Sequence, residues 1–221
     1  VGVSRDSGGP YTIERFVRDT LALLGELSIM RAHFVGASLG AAVVQEIAIR
    51  KPEMVASITL MSAWSSSARA NAVRLWLEAR AAALTAGRLN VYDRFSYLLI
   101  GASNLASDDP RLRRVISPPA GREPVDLPAE LGHYEAALAH DAYDRLPEID
   151  CPTMVLFGSE DVITTPAYNL EVAERIPGAQ AVAIAGAGHL VRLEKPQETA
   201  AAIRRFLSTV DGGATSIGAA A

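Results

Sequence analysis

The stretch from Ala32 to Pro52, AHFVGASLGAAVVQEIAIRKP, constrains this chain more than any other. A short apolar run leads into Gly36-Ala37-Ser38-Leu39-Gly40, a G-x-S-x-G pattern, and a long apolar run follows. Alone, the five letters describe any turn made of small residues. In this setting they predict a strand over Ala32–Val35 that bends sharply into a helix at Leu39. Ser38 would then occupy a strained corner, its hydroxyl clear of the backbone at the carboxyl end of a sheet. Gly36 and Gly40 are expected to be required there, because side chains would strike the turn or hold helix and strand apart. The helix is apolar nearly all round and so should be buried; two cations and a proline, Arg50-Lys51-Pro52, mark its end.

The flanking sequence alternates between the two periodicities. Ile13, Phe16, Val17, Thr20, Leu21, Leu24 and Leu27 recur at helical spacing behind Thr12, a capping residue, with Glu14 in the first turn. Val55–Ala63 reads as a second strand, Thr153–Gly158 as a third with little polar content, and Ala179–Ala185 as a fourth. Helices are expected over Ala167–Ile176 and Pro196–Val210. Between the second and third strands, Trp64 to Pro147 shows helical and proline-rich patterns and no strand alternation, with one helix over Pro128–Leu146. Strands alternating with helices predict an α/β fold: a parallel sheet of about four strands, covered on both faces, with a helical insertion of about eighty residues. The expected division is a core in two parts, residues 1–63 and 148–211, the insertion 64–147, and a disordered tail 212–221.

Composition narrows the partners. At 221 residues and 49% hydrophobic content the chain can bury a large core. A net charge of −4, with both signs scattered, offers no basic stripe for nucleic acid and no polybasic cluster for a membrane surface. No apolar run approaches the ~20 residues of a membrane span, and no signal segment opens the chain, so a soluble, cytoplasmic protein is expected. Cys151, the single cysteine, is expected to be a buried structural thiol. Dispersed histidines and one cysteine give no metal-ligand spacing, and no cofactor is expected.

A serine hydroxyl is almost fully protonated at neutral pH and needs a base within hydrogen-bond reach to attack a carbonyl. Of the four histidines, His33 lies inside a strand, and His133 and His140 lie in the insertion's last helix, at solvated or lid-lining positions. His189 differs, because it follows the fourth strand in a loop loosened by Gly186 and Gly188, at the end of the sheet where Ser38 is exposed. The carboxylate that orients such a histidine is expected just past the third strand, at Asp161, with Glu160 as competitor. The runs Asp108-Asp109 and Arg113-Arg114 read as solvated surface.

With these residues placed, the chain resembles the α/β-hydrolases. FVGASLGAAVVQEIA, PTMVLFGSEDVITTP and GAGHLVRLEKPQE resemble that family's nucleophile, acid and histidine segments, and the order Ser38, Asp161, His189 is the family's order. Among its subgroups the chain is most similar to small capped esterases and enol-lactonases and to cofactor-free haloperoxidase-like hydrolases. The resemblance implies that Trp64–Pro147 is a helical cap and that Leu39 gives one oxyanion-hole N–H. It also implies a first block of strands with a His-Gly motif, which nothing here matches. The opening VGVSRDSGGPYT resembles the loop after the family's fourth strand, so the chain is expected to correspond to about the carboxyl-terminal two thirds of a hydrolase, with Ala32–Val35 an open sheet edge.

The function expected is hydrolysis of a small-molecule ester, lactone or thioester of a largely apolar acid. Trp64, Trp76, Tyr92, Phe95 and Tyr97 are candidates for lining the acyl pocket, with ordinary packing between insertion helices as the alternative for each. Perhydrolase or haloperoxidase-like chemistry on the same residues is one rival. A non-catalytic binding module that keeps the fold is the other.

Overall fold

The computed structural model describes residues 8–117 and 126–217. The first helix, α1 (Ile13–Glu26), starts where Thr12 Oγ1 accepts the Arg15 N–H at 3.0 Å, satisfying one of the helix's unpaired donors. Strand β1 (Ala32–Ala37), helix α2 (Leu39–Arg50) and strand β2 (Val55–Met61) follow. Seven of the twelve residues of α2 are buried, among them Gln45 and Glu46, as its nearly all-apolar surface requires.

Helices α3 (Asn71–Thr85), α4 (Leu89–Arg94), α5 (Pro110–Ile116) and α6 (Leu127–Leu138) occupy the chain between β2 and β3, with a 3-10 turn over Phe95–Leu99. Among the described residues no strand interrupts them. The expected single helix over Pro128–Leu146 is corrected: α6 stops at Leu138, an antiparallel bridge joins Asp141 to Ser66, and a 3-10 turn spans Tyr143–Glu148. The bridge takes the backbone out of helical geometry at Asp141. Most of the proline-rich connection, residues 118–125, lies outside the described residues.

The order strand then helix resumes with β3 (Thr153–Gly158), α7 (Pro166–Arg175), β4 (Gln180–Ile184), the short α8 (Val191–Glu194) and α9 (Pro196–Ile217). The four strands form one parallel sheet in the order β1-β2-β3-β4. Every residue of β3 is buried, whereas β1 alternates, with Phe34 inside and Val35 48% exposed. A central strand covered on both faces and an edge strand covered on one explain the difference. Along β3, Val155 and Phe157 enter the core shared with α2 and α7, and Met154 and Leu156 enter the one shared with α9. Cys151 is buried beside the first of these cores, and burial pushes its thiol pKa up.

The helix α9 continues to Ile217, past the expected end at Val210; residues 218–221 lie outside the described residues. A helix already anchored by Ala202 and Phe206 needs no new nucleus to extend, and it continues through Gly212-Gly213 although each glycine is a poor helix former. Among the described residues no helix is long and apolar enough to cross a membrane.

Candidate active site

The bend after β1 has the predicted geometry. Ser38 sits between the last residue of β1 and the first of α2 with φ 52° and ψ −121°, a conformation that costs a residue with a Cβ on the order of 1 to 3 kcal/mol. The surroundings hold it there. Ser38 N–H donates to the Met61 carbonyl of β2 at 2.9 Å, and the Ser38 carbonyl accepts from Ala41 N–H at 2.7 Å. Its side chain makes no capping hydrogen bond and is half-buried, facing a cavity. A Cβ on Gly36 would stand 2.3 Å from the Gly40 carbonyl oxygen, so position 36 admits only glycine. The expectation for Gly40 is corrected: a Cβ there meets nothing within 4 Å. The close approach lies between the backbone of residue 40 and the Cα of residue 36, so only one of the two positions lacks room.

Leu39 opens α2, and its N–H has no carbonyl one turn back to bind. No other hydrogen bond engages it among the described residues. The amino end of a helix carries partial positive charge, so the region around Ser38 favours a developing anion.

The loops after β3 and β4 bring Asp161 to His189. Asp161 Oδ2 lies 2.9 Å from His189 Nδ1, and both residues are buried. The Asp161 carboxylate also accepts Ile163 N–H at 2.9 Å, Thr164 N–H at 3.0 Å and Thr164 Oγ1–H at 2.7 Å, which fixes its orientation. Glu160 is turned away: it accepts from the Ser103 amide at 2.8 Å and from the Ser103 hydroxyl, and these bonds hold its carboxyl below the usual range.

The His189 loop is pinned by close backbone contact. Ser62 Oγ donates to the His189 carbonyl at 2.9 Å, and Gly188 N–H donates to the Glu194 carboxylate at 3.0 Å. A Cβ on Gly188 would come 2.3 Å from the Gly101 nitrogen, and one on Gly158 would come 2.1 Å from the Gly188 carbonyl. Among the described residues no hydrogen bond joins Ser38 Oγ to His189. Adjacent residues link them instead, because Met61 holds Ser38 while Ser62 holds His189.

Beside Ser38 and Leu39 opens a cavity of about 200 Å³. Trp64, Val73, Trp76, Leu77, Ala137 and Ile163 give it apolar walls, and Thr164, Glu130, His133 and Tyr134 add polar groups. Trp64 and Trp76 are among the residues that line it. Tyr92, Phe95 and Tyr97 do not line this cavity, which corrects the expectation for them. Tyr92 is buried against Arg80, whose guanidinium carbon stands 3.9 Å from its ring centroid. Phe95 lines a separate hollow with Leu75 and Leu98, and Tyr97 is 48% exposed.

The other histidines have separate settings. His33 Nδ1 lies 2.8 Å from Ser57 Oγ, away from the bend, whereas His133 lines the cavity and packs edge-on against Tyr11 and Phe16. His140 is buried against Trp64 and Gln45, and desolvation lowers its pKa to about 4. Thr164, Ser62 and Glu194 were not singled out in sequence. Only Thr164, three residues after Asp161 in a turn, carried a local signal.

The chain thus has a parallel α/β sheet with a strained serine at a strand-to-helix bend and a buried Asp–His pair after two further strands. A model of the alpha/beta hydrolase family matches residues 2–202, and the chain belongs to that family. It is 30% identical over 203 residues to the putative carbamate hydrolase RutD of Pseudomonas syringae pv. syringae, covering 90% of this chain and 76% of that protein. It is 28% identical to the putative non-heme bromoperoxidase BpoC of Mycobacterium tuberculosis, covering 95% of this chain and 80% of that one. The crystal structure of the enol-lactonase from Burkholderia xenovorans LB400 superposes with a TM-score of 0.78 at 25% identity, over 94% of this chain and 77% of that one.

Proposed function

We propose that this chain is a serine hydrolase acting on an ester, lactone or thioester of a small, largely apolar acid. Ser38 Oγ attacks the carbonyl carbon as His189 takes its proton, and Asp161 orients the imidazole and stabilises its charged form. The Leu39 N–H donates to the oxyanion. His189 returns the proton to the leaving oxygen or sulfur, and water, deprotonated by His189 in turn, releases the acid and restores Ser38. Residues 64–147 act as a cap that closes the acyl cavity, between the core parts 1–63 and 148–211.

One observation carries the reading: a strained serine with an uncommitted hydroxyl faces an apolar cavity, beside a buried Asp–His pair bonded at 2.9 Å. The small cavity volume suits a short acyl group. The names of the relatives, which include a carbamate hydrolase and an enol-lactonase, support hydrolytic chemistry on small molecules. Comparing wild type with Ser38→Ala on short-chain aryl esters tests it. Turnover should vanish in the variant without change in melting temperature, and retained turnover would refute the assignment.

Similarity to the bromoperoxidase-named relative favours a second reading, in which hydrogen peroxide takes the acyl group from Ser38 in place of water. Peracid formation from acetate and peroxide, measured beside plain ester hydrolysis, separates the two.

A further inference from the structure

The cavity beside Ser38 is apolar on most of its wall and carries one fixed carboxylate, Glu130 of α6. Both tyrosine hydroxyls near it donate to the same oxygen: Tyr92 O–H to Oε1 at 2.5 Å and Tyr134 O–H to Oε1 at 2.5 Å. Arg80 Nε donates to the Tyr134 oxygen at 2.8 Å, and Arg80 Nη2 lies 4.0 Å from Glu130 Oε1. Burial pushes both tyrosine pKa values up, so both hydroxyls stay protonated and remain donors. Oε2 of the same carboxylate has no hydrogen-bond partner among the described residues, and it is not a sealed orphan, since no buried side-chain oxygen there lacks a partner. One oxygen is saturated and rigidly held; the other is open on a residue that lines the cavity.

We propose that Glu130 is a specificity-determining residue, whose Oε2 accepts a hydrogen bond from a neutral donor, a hydroxyl or amide N–H, on the acyl portion of the substrate. This rests on the serine-hydrolase reading and names the substrate class for that site: esters of short acids bearing such a donor. Charge balance decides for a neutral donor over an ammonium. The buried Arg80 guanidinium already compensates the carboxylate, and an ammonium would lose its hydration in an apolar cavity without gaining a net counter-charge. A donor-bearing substrate gains a pre-oriented acceptor, so little ordering is needed on binding. A purely apolar acyl group would instead take water from Oε2 and leave that oxygen unpaired.

The test uses methyl esters of short hydroxyalkanoic acids, each paired with the ester in which a methyl replaces the hydroxyl. The ratio of kcat/KM values within a pair is the readout. Wild type should favour the hydroxy ester by about tenfold in the pair whose length fits. In Glu130→Gln the amide oxygen can keep the tyrosine hydroxyls while the amide nitrogen replaces Oε2; the substrate hydroxyl can then only accept, in a neutral bond, so the ratio should fall severalfold. Tyr92→Phe keeps the ring over Arg80 but removes one of the two bonds that fix Glu130, so the ratio should fall part of the way, even if the first variant does not fold. A wild type that turns over plain esters as fast as their hydroxy partners overturns the role of Glu130 and leaves the hydrolase reading intact. So does a preference unchanged in both variants, which would place the hydroxyl elsewhere in the cavity. Turnover of neither series, with no labelling of Ser38 by a fluorophosphonate, removes the hydrolase reading and this proposal with it.

Discussion

The Asp161–Thr164–His189 cluster at the carboxyl end of the sheet reaches the cavity through Thr164, and the Arg80–Tyr92–Glu130–Tyr134 cluster of the helical segment reaches it through Glu130 and Tyr134. In the first, one turn supplies three of the bonds to the Asp161 carboxylate, from Ile163 and Thr164, and the only distant partner is His189 on the next βα loop. In the second, the four side chains come from three helices, α3, α4 and α6, and meet only because those helices pack. A cluster made by a turn is as rigid as the sheet it hangs from. A cluster made by helix packing can change with the helices while the sheet-borne chemistry stays in place. We accordingly propose the chemistry for the first cluster and selectivity for the second.

The division breaks most directly if the two clusters respond alike. His189→Gln should lower ester turnover by about 10⁴-fold with little change in melting temperature, because it removes the base and leaves the fold. Glu130→Gln should lower discrimination between paired esters severalfold and reduce kcat far less than His189→Gln does. Steady-state kinetics on both variants checks this, and equal losses of kcat would show that the clusters are not separable.

The bend itself offers the next largest effect. Gly36→Ala places a Cβ 2.3 Å from one backbone atom of Gly40 and 2.8 Å from Val44 Cγ2, and should destabilise the protein by about 3 kcal/mol. Gly40→Ala meets open space and should change stability by less than about 1 kcal/mol. Thermal melting of the pair tests the geometry, and a Gly36→Ala protein as stable as wild type would contradict it.

Acid should act through His140, under Trp64 at the junction of the two regions. Desolvation lowers its pKa from 6.5 to about 4, with Glu46 and Asp141 opposing in part. The unfolded chain therefore takes up this proton first as pH falls. The stability that neutral His140 preserves is fully present above about pH 6.5 and is lost progressively down to about pH 4, a change on the order of 3 kcal/mol. Chemical denaturation across that window should show the loss in wild type and a smaller one in His140→Gln. Identical slopes would place the acid sensitivity elsewhere.

The smallest effect expected is at Thr164, whose hydroxyl donates to Asp161 at 2.7 Å. Thr164→Val keeps the shape and removes the donor, so kcat should fall by about tenfold while the melting temperature moves little. An unchanged kcat would mean that the backbone amides alone hold Asp161.

The same contrast explains what could be read in the sequence. The positions of Ser38, Asp161 and His189 at strand ends are legible in sequence because each sits in a short segment whose spacing encodes a strand end and a turn. The choice of Asp161 over Glu160 rested on the direction in which neighbouring residues leave a strand, and the structure sends Glu160 to Ser103. The pattern asks for glycine at both 36 and 40, because a sequence does not say which of two glycines has its missing Cβ pointed at the other's backbone. Tyr92, Phe95 and Tyr97 were grouped with the pocket by residue type, and their positions depend on how α3, α4 and α6 rotate against one another, which no local spacing fixes. Glu130 was overlooked for the same reason. Sequence ends α9 at Val210 because the residues that follow are too small and polar to pack, and the anchored turns upstream carry the helix on to Ile217.

The central claim is that the hydroxyl at the bend after β1 is the reacting group. Incubation with a fluorophosphonate probe followed by peptide mapping tests it most directly. The account predicts a single adduct on Ser38, formed in proportion to the loss of ester turnover and greatly slowed in His189→Gln. A folded, active protein labelled at another residue, or labelled at Ser38 without loss of turnover, would contradict it.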